Sequence, residues 1–371
     1  MRYAIQTLWF ERRRYFAGVL AVAFSAVLMA VQGGVLVGLV ATVSAPVDQA
    51  PADIWATVPH TPSADNAGPI SLHWRNRLMM MPEIAQTDEF ILQFSRWFNP
   101  NVGYVLVIVC GVNLSDSSLG PLEKLTPEMR VALSEPGAVV VDERDKRKLG
   151  VSKIGDTAQI NHTVVRVVGF MKDMECMTGS YVFCSIPTAR RALIYYPNET
   201  TYLLARVASN ESLTRAIDAI RAHTDLDAFS KEEFSSMSRW YWILQTKSGL
   251  AVGFTALLGL LVGAVVTSQT LYSATAALLR ELAVLKSLGV PHWRMNLFVV
   301  EQSMVIGAVG LTIGLPLAYF FEAVGNAVGT KIDIAPSLTT TTAAVILGMA
   351  LVSGLVALRS LNKVDPAELL R

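Results

Sequence analysis

Four runs of apolar residues dominate this sequence, over 16–43, 250–272, 296–322 and 341–358. Three of them exceed the roughly 20 residues that a helix needs to cross a bilayer, and the last is the shortest. A buried core helix of a soluble protein keeps a polar stripe, and these runs carry none to speak of. Composition agrees. The chain is 52% hydrophobic and 16% charged with a mean hydropathy of +0.41, against about 25% charged in an ordinary soluble domain. The sequence therefore predicts a membrane protein with four transmembrane α-helices. Its formal net charge of +1 gives no global electrostatic case for nucleic acid.

Lys and Arg beside the spans set the orientation. Arg12, Arg13 and Arg14 precede the first span; Arg280, Lys286 and Arg294 lie between the second and third; Arg359, Lys363 and Arg371 follow the fourth. Residues 44–60 contain no Lys or Arg, and 322–342 only Lys331. Both termini and the 273–295 connection are thus expected in the cytoplasm, with 46–245 and the short 323–340 loop outside. Residues 1–15 read as an interfacial amphipathic helix with Ile5, Leu8 and Trp9 on one face, and 359–371 as a cytoplasmic tail. The first apolar run is too long for a signal-peptide core of about 7–15 residues, so it reads as an uncleaved anchor.

The outside block is large enough for its own core. The stretches PADIWATVP, GYVLVIVCGV and TTYLLARVA read as strands. Ala138–Val141 is a strand followed by a charged helix over 142–149, and β-branched alternation over 163–168 marks paired strands. ESLTRAIDAIRAHT is an amphipathic helix with Leu213, Ile217 and Ile220 on one face. The block is expected to be an extracytoplasmic α+β domain between helices 1 and 2, neither a barrel nor a repeat array. Its exit helix, about 231–246, ends in aromatic residues 240–242 that suit an outer-interface belt. Cys176 and Cys184 could pair in an oxidising compartment or stay as buried thiols, and Cys110 sits in a strand core.

Catalytic constellations are missing. There is no GxxxxGK[ST], so this chain does not cradle ATP in the P-loop manner. There is no HExxH, CxxC or GxSxG, and the five His are scattered without metal-ligand spacing. No catalytic residue, metal ligand or bound cofactor is expected. The mixed charges over 142–148 are a solvated helix face. Gln32, Glu301 and Gln302 are polar residues inside spans, Glu301 near enough to its helix end to snorkel or pair with Arg. Gly34–Gly38, Gly259–Gly263 and Gly310–Gly314 are four-residue pairs that fit close helix packing, and suggest a dimer.

Between the second and third spans the chain reads LLRELAVLKSLGVPHWRM over 278–295. Leu279, Leu282, Leu285 and Leu288 recur every three residues, with Arg280, Glu281 and Lys286 on other faces. Gly289 suits a C-terminal cap and Pro291 forbids continuation. A stiff helix is expected to leave the membrane here, stop, and turn back past Arg294, which an inert hairpin would not need.

The segment RELAVLKSLGVPHWRMNLFVVEQSMVIGAVGLTIGLPLAYF resembles the FtsX-like permease module of ABC transporters, matching at Arg280, Glu281, Leu282, Leu285, Lys286, Leu288, Gly289, Glu301, Gly310 and Gly314. The tail NKVDPAELLR resembles the family's terminal pattern at Asp365, Pro366 and Arg371. Ala23, Phe24, Leu28, Gln32 and Gly34 resemble the DevC branch, and no ATPase domain is fused as in MacB proper. The resemblance implies a permease subunit pairing with two copies of a separate ATPase, which holds the ATP and Mg. It further implies a homodimer or a pair with a paralogous permease, a periplasmic adaptor, residence in a bacterial inner membrane, and export of a lipid-like or hydrophobic substrate by mechanotransmission. An FtsX-type regulator of a cell-wall hydrolase and a LolC/LolE-type lipoprotein-releasing permease are the competing readings.

Overall fold

The computed structural model describes residues 12–172, 174, 176, 179–276, 291–328 and 330–363. The chain divides into two compact units, Leu39–Leu250 and a second made of Met1–Gly38 with Ala251–Arg371. The first helix among the described residues, α1, runs Arg12–Gln49 and belongs to both.

The larger unit is built on eleven strands: β1 (Ile54–Thr57), β2 (Ile70–Ser71), β3 (Ile84–Asn99), β4 (Gly103–Val112), β5 (Ala138–Asp142), β6 (Thr157–Ile160), β7 (Thr163–Met171), β8 (Ser180–Ser185), β9 (Glu199–Thr200), β10 (Tyr202–Val207) and β11 (Asp227–Ser230). Nine of them form one sheet in the order β11-β1-β10-β3-β4-β8-β5-β7-β6, and β2 pairs with β9. The 16-residue β3 organises this sheet. Its first half pairs with β10, from Ile84 to Phe90, and its second half with β4, from Ile91 to Asn99.

β3 also takes β6 as a partner, with Trp97 opposite Ile160 and Phe98 opposite Gln159. That last pairing closes β3-β4-β8-β5-β7-β6 into a ring, so half of this α+β unit is a small closed barrel, contrary to the expectation of none. Closure leaves these six strands no open edge among themselves. The interior follows the two-residue alternation of strands. Trp97, Val107, Val109, Val139, Val141, Ile160, Val165, Val167 and Val182 form one buried cluster drawn from all six strands. Trp97 fills it and donates its indole N–H to the Leu149 carbonyl at 3.0 Å. The alternate residues, including Leu92, Ile108, Cys110, Val140 and Phe183, face a second cluster with Trp55, Phe90, Tyr202 and Phe234.

Two helices follow from their caps. Ser212 accepts from Arg215 N–H to open α2 (Leu213–His223), which buries Ala216, Ile217 and Ile220. Ser230 accepts from Glu233 N–H to open α3 (Lys231–Leu244), where Glu232 and Glu233 complement the helix dipole.

The smaller unit holds α1 up to Gly38 with α4 (Lys247–Ala276, from Ala251), α5 (His292–Val328) and α6 (Pro336–Lys363). Among the described residues, four stretches are long and apolar enough to cross a bilayer: Phe16–Gln49, Lys247–Thr270, Leu297–Ala327 and Pro336–Ser353. Val22, Ala26 and Met29 of α1 pack with Ile306 and Leu311 of α5 and with Ile346 and Ala350 of α6.

Candidate functional site

The expected coupling helix falls on Arg280, Glu281, Leu282, Leu285, Lys286, Leu288 and Gly289, which lie outside the described residues, as do Asp365, Pro366 and Arg371 of the tail. Its far boundary is described. Pro291 is exposed and non-helical, its carbonyl accepts from Arg294 N–H at 3.0 Å, and α5 starts at His292. The exposed Arg294 guanidinium lies 5.3 Å from the centroid of the Trp293 ring. The proline, lacking an N–H to give, therefore stands just ahead of the helix it introduces.

The glycine pairs are occupied within the chain. A Cβ on Gly310 would meet Val22 Cγ1 at 2.5 Å, and one on Gly314 would meet the Ala23 carbonyl at 2.7 Å. A Cβ on Gly259 would meet Gln32 Cγ at 3.0 Å, and one on Gly263 would meet Met29 Cε at 2.6 Å. So α4 and α5 approach α1 through their glycines. The third pair does not meet a helix. Gly34 lies under Ile332 and Ile334, and Gly38 under the Lys331 carbonyl. Gln302 is buried at 3% exposure and Glu301 is half-buried, both on α5.

In the larger unit, the last turns of α1 and the helix α3 are joined by a polar clasp. Asp48 accepts from Ser44 Oγ at 2.7 Å, from Ser235 Oγ at 2.6 Å and from Arg239 Nη2 at 2.6 Å. Arg239 Nε also donates to Ser44 Oγ at 2.8 Å. Lys231 Nζ donates to the Ala50 carbonyl at 2.8 Å, and Tyr181 OH to the Thr42 carbonyl at 2.9 Å. These residues flank the points where the chain enters and leaves this unit. Sequence reasoning missed them. The signal was the four-residue spacing of Ser44–Asp48 and Ser235–Arg239, which puts each pair on one helix face.

A second anchor holds α3. Trp242 Nε1 donates to the Asp65 carboxylate at 3.0 and 3.2 Å, Ser63 Oγ donates to it at 2.6 Å, and Ser238 Oγ accepts from Ala64 N–H at 2.9 Å. Burial of Asp65 pushes its carboxyl above the usual carboxylate range, against the lowering effect of the Ser63 and Trp242 donors. Of the aromatic run at 240–242, Trp240 is 59% exposed while Trp242 is committed to Asp65.

No disulfide joins Cys176 to Cys184. Cys184 belongs to the barrel interior and Cys176 to the cluster outside it with Cys110. Burial pushes the Cys184 thiol up to about 12. Among the described residues, no three His, Cys, Asp or Glu side chains are grouped to hold a metal ion.

Comparison with known proteins gives these features a family. The MacB-like periplasmic core domain matches residues 16–223, more than half the chain, and the FtsX-like permease C-terminal region matches 253–366. An uncharacterized ABC transporter permease of Methanocaldococcus jannaschii is 26% identical over 189 residues, 48% of this chain. That match covers 46% of the relative, so the chain spans about half the length of the curated relative it matches. Among solved structures, the periplasmic region of MacB from Actinobacillus actinomycetemcomitans aligns at 12% identity and a TM-score of 0.34, over 51% of this chain and 94% of that one. The extracellular domain of the noncanonic ABC-type transporter YknZ from Gram-positive bacteria aligns at 12% identity and 0.33, over 48% and 98%. Four membrane-length helices, a large domain of mixed sheet and helix and the two family regions make this chain a member of the MacB/FtsX-type ABC transporter permeases.

Proposed function

We propose that this permease is the transmembrane subunit of an exporter that works by mechanotransmission. ATP, with Mg, is bound and hydrolysed in two copies of a separate ATPase subunit. The 278–289 segment receives the push in the cytoplasm, through Arg280, Glu281, Leu285 and Lys286, and the membrane helices pass it to the Leu39–Leu250 unit. The permease acts as a homodimer or beside a paralogous permease, and a DevC-like periplasmic adaptor carries a lipid-like or other hydrophobic substrate onward. The arginine and lysine distribution favours an inner membrane with both termini cytoplasmic and the larger unit periplasmic.

The observation that best supports force transmission is the clasp of Asp48 with Ser235 and Arg239. A pull on α1 or on α4 is delivered to a bonded pair of helix ends, where loose linkers would dissipate it. The test is co-purification of the full chain with candidate ATPase subunits, followed by ATP hydrolysis in nanodiscs, for wild type and a Glu281→Lys, Leu285→Asp double variant. A complex present in wild type and lost in the variant supports the reading. Unchanged binding and turnover in the variant removes the 278–289 segment as the coupling element. Failure to find any ATPase partner overturns the proposal.

A further inference from the structure

Within the smaller unit, α1, α4 and α6 enclose an apolar groove of about 260 Å³. Its floor is Met29 and Gly33 of α1; one wall runs from Gly253 to Leu260 of α4, and the other from Leu338 to Val345 of α6. Each wall spans eight residues of helix, that is seven rises of about 1.5 Å, so the groove is about 10 Å long. That is a third of a hydrocarbon core about 30 Å thick, and the groove runs along the helix axes. Leu257 and Leu260 on its rim are 51% and 40% exposed, continuous with the surface these helices turn to lipid.

We propose that this groove binds one fatty acyl chain of a bilayer lipid. No charged side chain lines it. Thr341 and Thr342 are the hydroxyl-bearing residues in its lining, and Thr341 gives its hydroxyl to the Ser337 carbonyl at 2.8 Å. Water has too few partners to stay there, and an empty groove forfeits dispersion contacts along its whole lining. A single extended hydrocarbon chain is thin enough to reach the floor, and it already lies parallel to the groove in a bilayer. The binding requires only that these helices span a membrane; it does not depend on export or on an ATPase partner.

Two glycines provide the test. A Cβ added at Gly253 meets no atom within 4 Å, and the same is true of Gly348, which lies on α6 outside the groove. Gly253→Leu therefore starts from open space and adds bulk on the groove wall, and Gly348→Leu adds the same bulk elsewhere. The full chain is reconstituted in phosphatidylethanolamine and phosphatidylglycerol vesicles containing a trace of phosphatidylglycerol with a diazirine on its acyl chain. After irradiation, labelled peptides are mapped by mass spectrometry. Labelling is expected to concentrate on 253–260 and 338–345 relative to the lipid-facing Ile313 and Leu317. It should fall to their level in Gly253→Leu and persist in Gly348→Leu. Thr341→Phe, on the opposite wall, should reproduce the loss if Gly253→Leu does not reconstitute. Even labelling of all lipid-facing positions in wild type means an annular lipid only, and overturns the proposal. So does labelling that survives both groove-filling variants.

Discussion

Gly38 lies directly against the main-chain carbonyl of Lys331, closer than a Cβ at that position would permit. The contact belongs to a wider strap. Asp333 N–H donates to the Gly34 carbonyl at 3.0 Å, Asn326 both gives to and accepts from Ile332, and Glu322 Oε1 accepts from Ile334 N–H at 3.1 Å. A glycine pair that reads as helix-packing is thus a seat for a loop. Gly38→Ala is expected to lower stability by about 1–3 kcal/mol, the usual cost of overpacking, because backbone cannot yield as a side-chain tip can. Gly348→Ala, with open space around it, should not lower stability, since alanine is the better helix former. Thermal unfolding of the two variants in nanodiscs checks the pair.

Asp65 sets a pH dependence. Its carboxyl is held above the ordinary value of 3.8 mainly by burial. The folded chain therefore binds this proton more tightly than the unfolded chain does. Any stability contributed by this group is fully present below the unfolded value and is lost as pH rises through the folded one. Asp65→Asn keeps an acceptor for Trp242 and cannot ionise. Relative to wild type, its stability should improve as pH rises from below 3.8 toward neutrality, then level off. Unfolding curves of both proteins across that range test the sign; a difference independent of pH would count against it.

Cys110 and Cys184 are chemically silent in the native state. Cys110 is fully buried and its thiol is raised well above 9.0, and Cys184 stands at about 12 for the same reason. A nucleophilic thiolate is therefore absent at either position near neutral pH. Alkylation at pH 8 should leave both unmodified until denaturant is added. Under denaturing, non-reducing conditions, all three cysteines should then be modified, because none is held in a disulfide.

Legibility in the sequence followed the range of the interactions. The four spans were visible because an apolar run is a local property of some 20 residues, though α1 continues to Gln49, beyond the apolar run that ends at 43. Gly259 and Gly310 announced close contact, but spacing cannot say with what, and the structure supplies α1 of the same chain. β3 escaped notice because Asp88, Glu89, Gln93 and Arg96 interrupt its apolar alternation. Their reasons are distant: Asp88 accepts from Ser118 and Leu119, and Arg190 pairs with Glu89 at 2.5 Å. Barrel closure rests on Trp97 meeting Ile160, a pairing that no local pattern encodes. Of the residues expected to form the coupling element, Pro291 and Arg294 alone lie among the described ones.

The clasp between α1 and α3 offers the sharpest separation of charge from geometry. The Arg239–Asp48 pair is about 40% exposed on each side, so the charge attraction alone contributes roughly 0–1 kcal/mol and is screened by salt. Asp48 has more at stake, since it accepts from Ser44, Ser235 and Arg239 together. Asp48→Ala strips all three donors and should cost about 1–3 kcal/mol, more than Arg239→Ala. Arg239→Lys keeps the charge but loses the fork that reaches Ser44 through Nε and Asp48 through Nη2. It should therefore behave like Arg239→Ala at low salt and high salt alike. If Arg239→Lys instead restores wild-type stability at low salt only, the clasp is a simple ion pair and the planar geometry is incidental. Chemical unfolding at two salt concentrations distinguishes these outcomes. The same three variants, assayed for ATP hydrolysis with any ATPase subunit that co-purifies with the chain, test whether the proposed transmission needs the helix ends held in register or only near one another.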